Sequence, residues 1–148
     1  MAKKIRKIRL SLKRDEALRA TRVSVGKLKL VYVLIADKRI QYTKGKSKIV
    51  YIGTTKKGVE RIAQSVAFRA DDILKLHGVR TFTARIVTCA PRQNVKTWNK
   101  LERALLLVFR MQYGDFPRCH SNGNKMKETN EFKYFAKSGV TNVIEELS

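Results

Sequence analysis

Acidic residues are scarce in this chain: 12 Asp and Glu stand against 33 Lys and Arg in 148 residues, a formal net charge of +21. Such an imbalance is costly in self-repulsion unless a polyanion shares the charge, so a phosphate-rich partner is expected. Cysteine is nearly absent. Cys89 and Cys119 are too few for a disulfide scaffold and too far apart for a paired metal clip. No run approaches the roughly 18 consecutive apolar residues of a membrane span, so no membrane partner is expected. The opening MAKKIRKIRLSLKRDEALRATR is basic but lacks the apolar stretch of a secretory signal, which points to a cytoplasmic location. What is present is enough for a core: 43% of residues are hydrophobic, which excludes a disordered tail and suits one domain.

The positive charge is clustered. Residues 1–29 hold eleven basic side chains against Asp15 and Glu16. A second group is Lys38, Arg39, Lys44, Lys46 and Lys48, followed by Lys56 and Lys57. Clusters of this kind neutralise phosphates and release counterions, giving salt-sensitive binding without sequence preference. These seven side chains are the candidate nucleic-acid contacts. Charge names the partner but not what happens to it.

Residues 1–27 read as a basic N-terminal arm, with weak signs of a short strand and a short helix. From Lys27 the pattern sharpens. LKLVYVLIA carries two alternating apolar sets, as in a strand covered on both faces. The polar stretch DKRIQYTKGKS then reads as a long loop with Gly45 as turn residue, joining a second strand, KIVYIG. Thr54 or Thr55 can cap the next helix. Along it Val59, Ile62, Ala63, Val66, Ala70, Ile73 and Leu74 recur at helical spacing, with Gly78 as the stop and His77 on the apolar face. VRTFTARIVT alternates as a third strand, Asn94 is the expected cap of a second helix, and that helix runs to Gly114. A loop follows to Lys127, then one or two short terminal helices. The predicted fold is α+β: a small antiparallel three-stranded sheet flanked by helices in β-β-α-β-α order. The expected division is an arm (1–27), a core (28–125) and a C-terminal helical tail (126–148).

Glu102 stands out within that core. Trp98, Glu102, Leu105 and Phe109 form one helical stripe, and Glu102 is the only acid between Asp72 and Asp115. A carboxylate in an apolar stripe is expensive unless it has a partner or a metal. The bland alternative is a Glu paired with Lys100 or Arg103.

Other residues give that glutamate a context. Leu30-Val31-Tyr32 lies on the first strand, Tyr51-Ile52-Gly53 on the second, and Arg61 ten residues after Tyr51. Glu102 and an Asn-rich loop follow. In this order and with these residue types the chain resembles the GIY-YIG nuclease family, over roughly Leu28 to Asn124. The resemblance implies catalytic roles for Tyr32, Tyr51, Arg61, Glu102 and Asn122, with Asn124 as the alternative to Asn122. It implies one magnesium ion per active site with Glu102 as its sole protein carboxylate, and products with 5′-phosphate and 3′-hydroxyl ends.

Phosphodiester hydrolysis fits these residue types. It needs activation of the attacking water, positive charge at the phosphate and stabilisation of the leaving oxygen. Guanidinium is always charged and binds phosphate bidentately, which suits Arg61. A tyrosine, with an ordinary pKa near 10, serves as base only where cations favour its phenolate. The chain departs from the family pattern at three points. Its first motif lacks the leading glycine, the gap from Tyr32 to Tyr51 is long, and Ser65 stands where members often carry His or Tyr. The base therefore stays open between Tyr32, Tyr51 and a water relay. With His77 and His120 as the only histidines, no structural zinc is expected.

The function this implies is a magnesium-dependent DNA endonuclease, site-specific if of restriction or homing type, with a repair nuclease sharing the same module. Duplex DNA is the expected partner, and a homodimer is expected if both strands are cut. The alternative is a catalytically silent basic DNA- or RNA-binding protein on the same scaffold.

Overall fold

The computed structural model describes residues 28–120 and 125–148. The predicted arm (1–27), Asn122 and Asn124 lie outside the described residues.

Three strands build one antiparallel sheet: β1 (Leu30–Tyr42), β2 (Gly45–Thr55) and β3 (Phe82–Val87), in spatial order β2-β1-β3. β1 is paired along both edges, and both of its faces are covered as well: Leu30 through Leu34 are all buried. The two alternating apolar sets record that double burial. Helix α1 (Gly58–Leu74) lies over the face that carries Tyr32, since Ser65 reaches the Tyr32 hydroxyl. Helix α2 (Thr97–Tyr113) lies over the other, where Trp98 and Leu101 line a groove with Val31. The expected α+β architecture is the observed one. Short helices α3 (Glu131–Tyr134) and α4 (Lys137–Leu147) follow, and Val140, Ile144 and Leu147 of α4 join the same core.

The stretch 37–48 corrects the sequence reading. It is strand, not loop: β1 and β2 run on to a two-residue turn at Thr43 and Lys44, with register shifts near Ile35 and before Ile40. The polar letters DKRIQYTKGKS hide three buried side chains, Ile40, Tyr42 and Ser47. The tip is fixed by tertiary contacts. Lys44 N–H donates to the Tyr113 carbonyl (2.9 Å), Thr43 N–H donates to Asp115 (2.9 Å), and the Tyr42 ring meets Phe109 edge-on at 5.1 Å.

Helix ends differ as well. Helix α1 stops at Leu74, four residues before Gly78, so His77 is exposed beyond the helix instead of on its apolar face. Helix α2 starts at Thr97 with Lys96 as its first flanking residue. Asn94 is not a cap: it sits at φ 59 in the turn closed by Arg92 and Val95. At the other end Gly114 takes φ 83 and its N–H donates to the Arg110 carbonyl, the expected stop. Among the described residues no helix is long and apolar enough to cross a membrane.

Candidate active site

Strand pairing brings the two motif tyrosines together. Tyr32 lies directly opposite Gly53, and Tyr51 stands two residues from Gly53, so all three share one face. The tyrosine rings are 5.8 Å apart between centroids and tilted by 41°. Gly53 makes this possible. A Cβ at that position would fall 2.6 Å from Tyr51 Cε1 and 2.9 Å from the Tyr32 hydroxyl oxygen. The glycine of the YIG tripeptide is thus the floor under two aromatic rings.

Helix α1 supplies the wall above them. The Tyr32 and Ser65 hydroxyls share a hydrogen bond of 2.5 Å. One turn further, Arg69 lays its guanidinium 3.7 Å from the Tyr51 ring centroid and donates to the Cys119 carbonyl at 3.3 Å. His120 stacks on Tyr51 at 5.7 Å. Arg61, Ser65 and Arg69 are spaced i, i+4 and i+8, one stripe of the helix. Arg61 begins that stripe, is exposed, and donates to the Gln64 amide oxygen (2.9 Å). Arg69, at the stripe's buried end, was missed by the sequence reading, although the same spacing was available to find it.

Tyr51 is held protonated. Burial pushes its phenol up to about 12, with Tyr32 and the Glu102 carboxylate adding to the rise and Arg69 pulling only partly back. At neutral pH it is a hydrogen-bond donor.

Glu102 comes from the opposite helix. It is half-buried, and burial raises its pKa, while a hydrogen bond from Thr54 and the charge of Arg103 work against the rise. Thr54 follows Gly53 on β2 and pairs with Val31, so its side chain is on the α2 face, opposite the tyrosine rings. The Glu102 carboxylate is nonetheless near enough to Tyr51 for its charge to raise that phenol. Neither bland partner takes it. Lys100 donates to Asn130 Oδ1 (2.5 Å), and Arg103 donates to Glu131 Oε1 (2.6 Å) and to the Lys127 carbonyl. Glu131 is fully buried. Burial pushes its carboxyl up, but Arg103 and the N–H and hydroxyl of Thr129 outweigh that and bring it down to about 2. The tail thereby engages the two cations that flank Glu102 in sequence.

This donor set suits one cation and not another. Among the described residues no group of three or more His, Cys, Asp and Glu converges, as a protein-caged zinc would require. Magnesium needs only one or two carboxylates when phosphate oxygens and waters complete its shell, and Glu102 with the nearby Thr54 hydroxyl fits that demand.

The seven basic candidates are all exposed, but they do not form one patch. Lys44, Lys46 and Lys48 lie toward the hairpin tip, whereas Lys56 and Lys57 follow the far end of β2, about 30 Å away at strand rise. Lys38 and Arg39 fall within the second register shift of β1, between Ile35 and Ile40.

No family model, no curated protein and no solved structure matches the chain.

Proposed function

We propose that the chain is a magnesium-dependent endonuclease acting on DNA. One observation carries this reading above the others: Glu102, a part-buried carboxylate that neither Lys100 nor Arg103 pairs with, lies close enough to act by charge on Tyr51, which itself packs against Tyr32 and Arg69. Each residue then has a task. Arg69 and Arg61 bring fixed positive charge along one helix stripe to a phosphodiester. Tyr51, kept protonated, donates a hydrogen bond to a phosphate oxygen. Tyr32, tied to Ser65, orients the attacking water. Glu102 would hold magnesium, which supplies charge stabilisation at the phosphate when bound. The exposed lysines of the hairpin and of the start of α1 hold duplex DNA by its backbone.

Plasmid nicking tests this directly. Wild-type protein should nick supercoiled DNA in magnesium and not in EDTA, and Glu102→Gln should not nick in either. Nicking by Glu102→Gln at the wild-type rate would sink the assignment. The silent-binder reading has one observation in its favour, a Tyr51 phenol near 12 that is no base. It predicts a gel shift with no nicking under any condition.

A further inference from the structure

A groove of about 400 Å³ opens on the α2 side of the sheet, between the start of β1, the end of β3 and the first turns of α2. Its walls are apolar: Val31, Val87, Leu101 and the indole of Trp98. Two cations stand among its lining residues. Lys29 places its ammonium 4.4 Å from the Trp98 ring centroid, and Arg92 lines the same opening. The Trp98 indole N–H is buried, with no acceptor among the described residues, and the residue as a whole is 9% exposed. An apolar slot with an aromatic wall and cations among its lining residues is complementary to a base attached to a phosphate. Its position sharpens the match. Trp98 and Glu102 are one turn apart on α2, about 6 Å along the axis, and Val31 pairs with Thr54.

We propose that this groove is a nucleobase subsite, taking a base of the bound strand close to the phosphate at Glu102. The inference rests on the nuclease reading and adds to it a place where the substrate is gripped by a base, not by its backbone. In the free protein Lys29 covers the indole. When a strand enters, the ammonium exchanges the ring for a phosphate, and the base takes the space against Trp98. Base–aromatic stacking is sequence-tolerant because every base offers a π face, so the subsite adds affinity and register more than sequence choice.

The chain carries a single tryptophan, so its emission reports on this groove alone. The full-length protein in EDTA, where no cleavage is expected, is titrated with a short fluorophore-labelled DNA strand. Trp98 emission and the anisotropy of the label are read together. Emission should be quenched with the same midpoint as the anisotropy, and polyphosphate or an abasic strand should bind without quenching. Trp98→Ala should weaken strand binding about tenfold, the scale of one lost stacking contact. Val87→Phe, which fills the groove without removing the reporter, should abolish the quench.

The failures are distinguishable. Binding seen by anisotropy with unchanged Trp98 emission overturns the subsite and leaves the nuclease reading standing. Equal quenching by polyphosphate overturns it too, since the base is then not what is recognised. An emission shift on deleting residues 1–22, with no further response to DNA, assigns the groove to the chain's own arm and also overturns it. Absence of any DNA binding removes both readings.

Discussion

Arg103 gives its guanidinium to Glu131, 28 positions away in sequence, and not to Glu102 beside it. The 2.6 Å contact is buried on the Glu131 side, so the arginine is committed to the tail. Glu102 then keeps a carboxylate that the fold itself disfavours.

That cost can be measured. A carboxyl whose pKa is raised in the fold binds protons more tightly folded than unfolded. Its penalty is absent below the ordinary carboxylate pKa and grows as pH rises through the folded value. Glu102→Gln should therefore melt at a higher temperature than wild type at pH 8 in EDTA, with the gap closing toward pH 4. It should also bind DNA as well as wild type while failing to cleave. A lower Tm at pH 8 would make Glu102 a structural residue.

Glu131 behaves in the opposite sense. Its folded pKa of about 2 lies below the ordinary 4.5, so its contribution is full above 4.5 and is lost as pH falls toward 2. The shift corresponds to about 3 kcal/mol near neutral pH. Glu131→Gln should lose about that much in urea unfolding at pH 7 and flatten the acid limb of the stability curve. An unchanged acid limb would show that the pair with Arg103 does not form in solution.

Gly53→Ala is a one-carbon probe of the site. The added methyl has no room between the tyrosine rings, and overpacking of this kind costs about 1–3 kcal/mol. Cleavage should fall with it, while DNA binding through the lysines persists. Normal activity in the alanine variant would mean that the rings do not hold the positions described.

Arg61 and the basic arm separate rate from affinity. Arg61→Lys keeps the charge and loses the planar fork, for an expected loss of about a hundredfold in turnover. A near-normal rate would leave Arg61 as the surface partner of Gln64. Deleting residues 1–22 removes nine basic side chains, so DNA binding should weaken and its salt slope should flatten by about 0.9 per lost phosphate contact. Saturating DNA at low salt should restore turnover; if it does not, the arm belongs to the catalytic apparatus.

Much of the fold was legible because burial leaves a periodic trace. The two-faced apolar run at 28–36 announced the central strand, and Gly114 announced the end of α2. The hairpin tip was not legible, because its polar exposed face outnumbers Ile40, Tyr42 and Ser47, and because Tyr113 and Asp115, which fix it, are far away in sequence. His77 was misplaced for a related reason: periodicity shows where a helix can continue, not where Lys75 ends it. The site divides in the same way. Tyr32, Gly53 and Tyr51 follow from strand register, which local spacing encodes. Arg103 turning to Glu131, Lys100 turning to Asn130 and Arg69 lying on Tyr51 depend on segments meeting in space, and no local spacing encodes those choices.

One detail at the sheet margin bears on how copies of this protein could associate. Along the outer edge of β2, the Lys48 N–H donates to the Ser148 carbonyl at 3.2 Å, and the Val50 carbonyl accepts from Cys119 N–H at 2.9 Å. The Ser47 hydroxyl donates to Ser148 as well. Backbone groups that would template a fourth strand are thus spent on the chain's own segments. Two copies cannot zip β2 to β2 across this stretch without first prising those segments loose. Any pairing of protomers for a double-strand cut would have to avoid this stretch of β2, and the same guard disfavours β2-to-β2 stacking when the protein is concentrated.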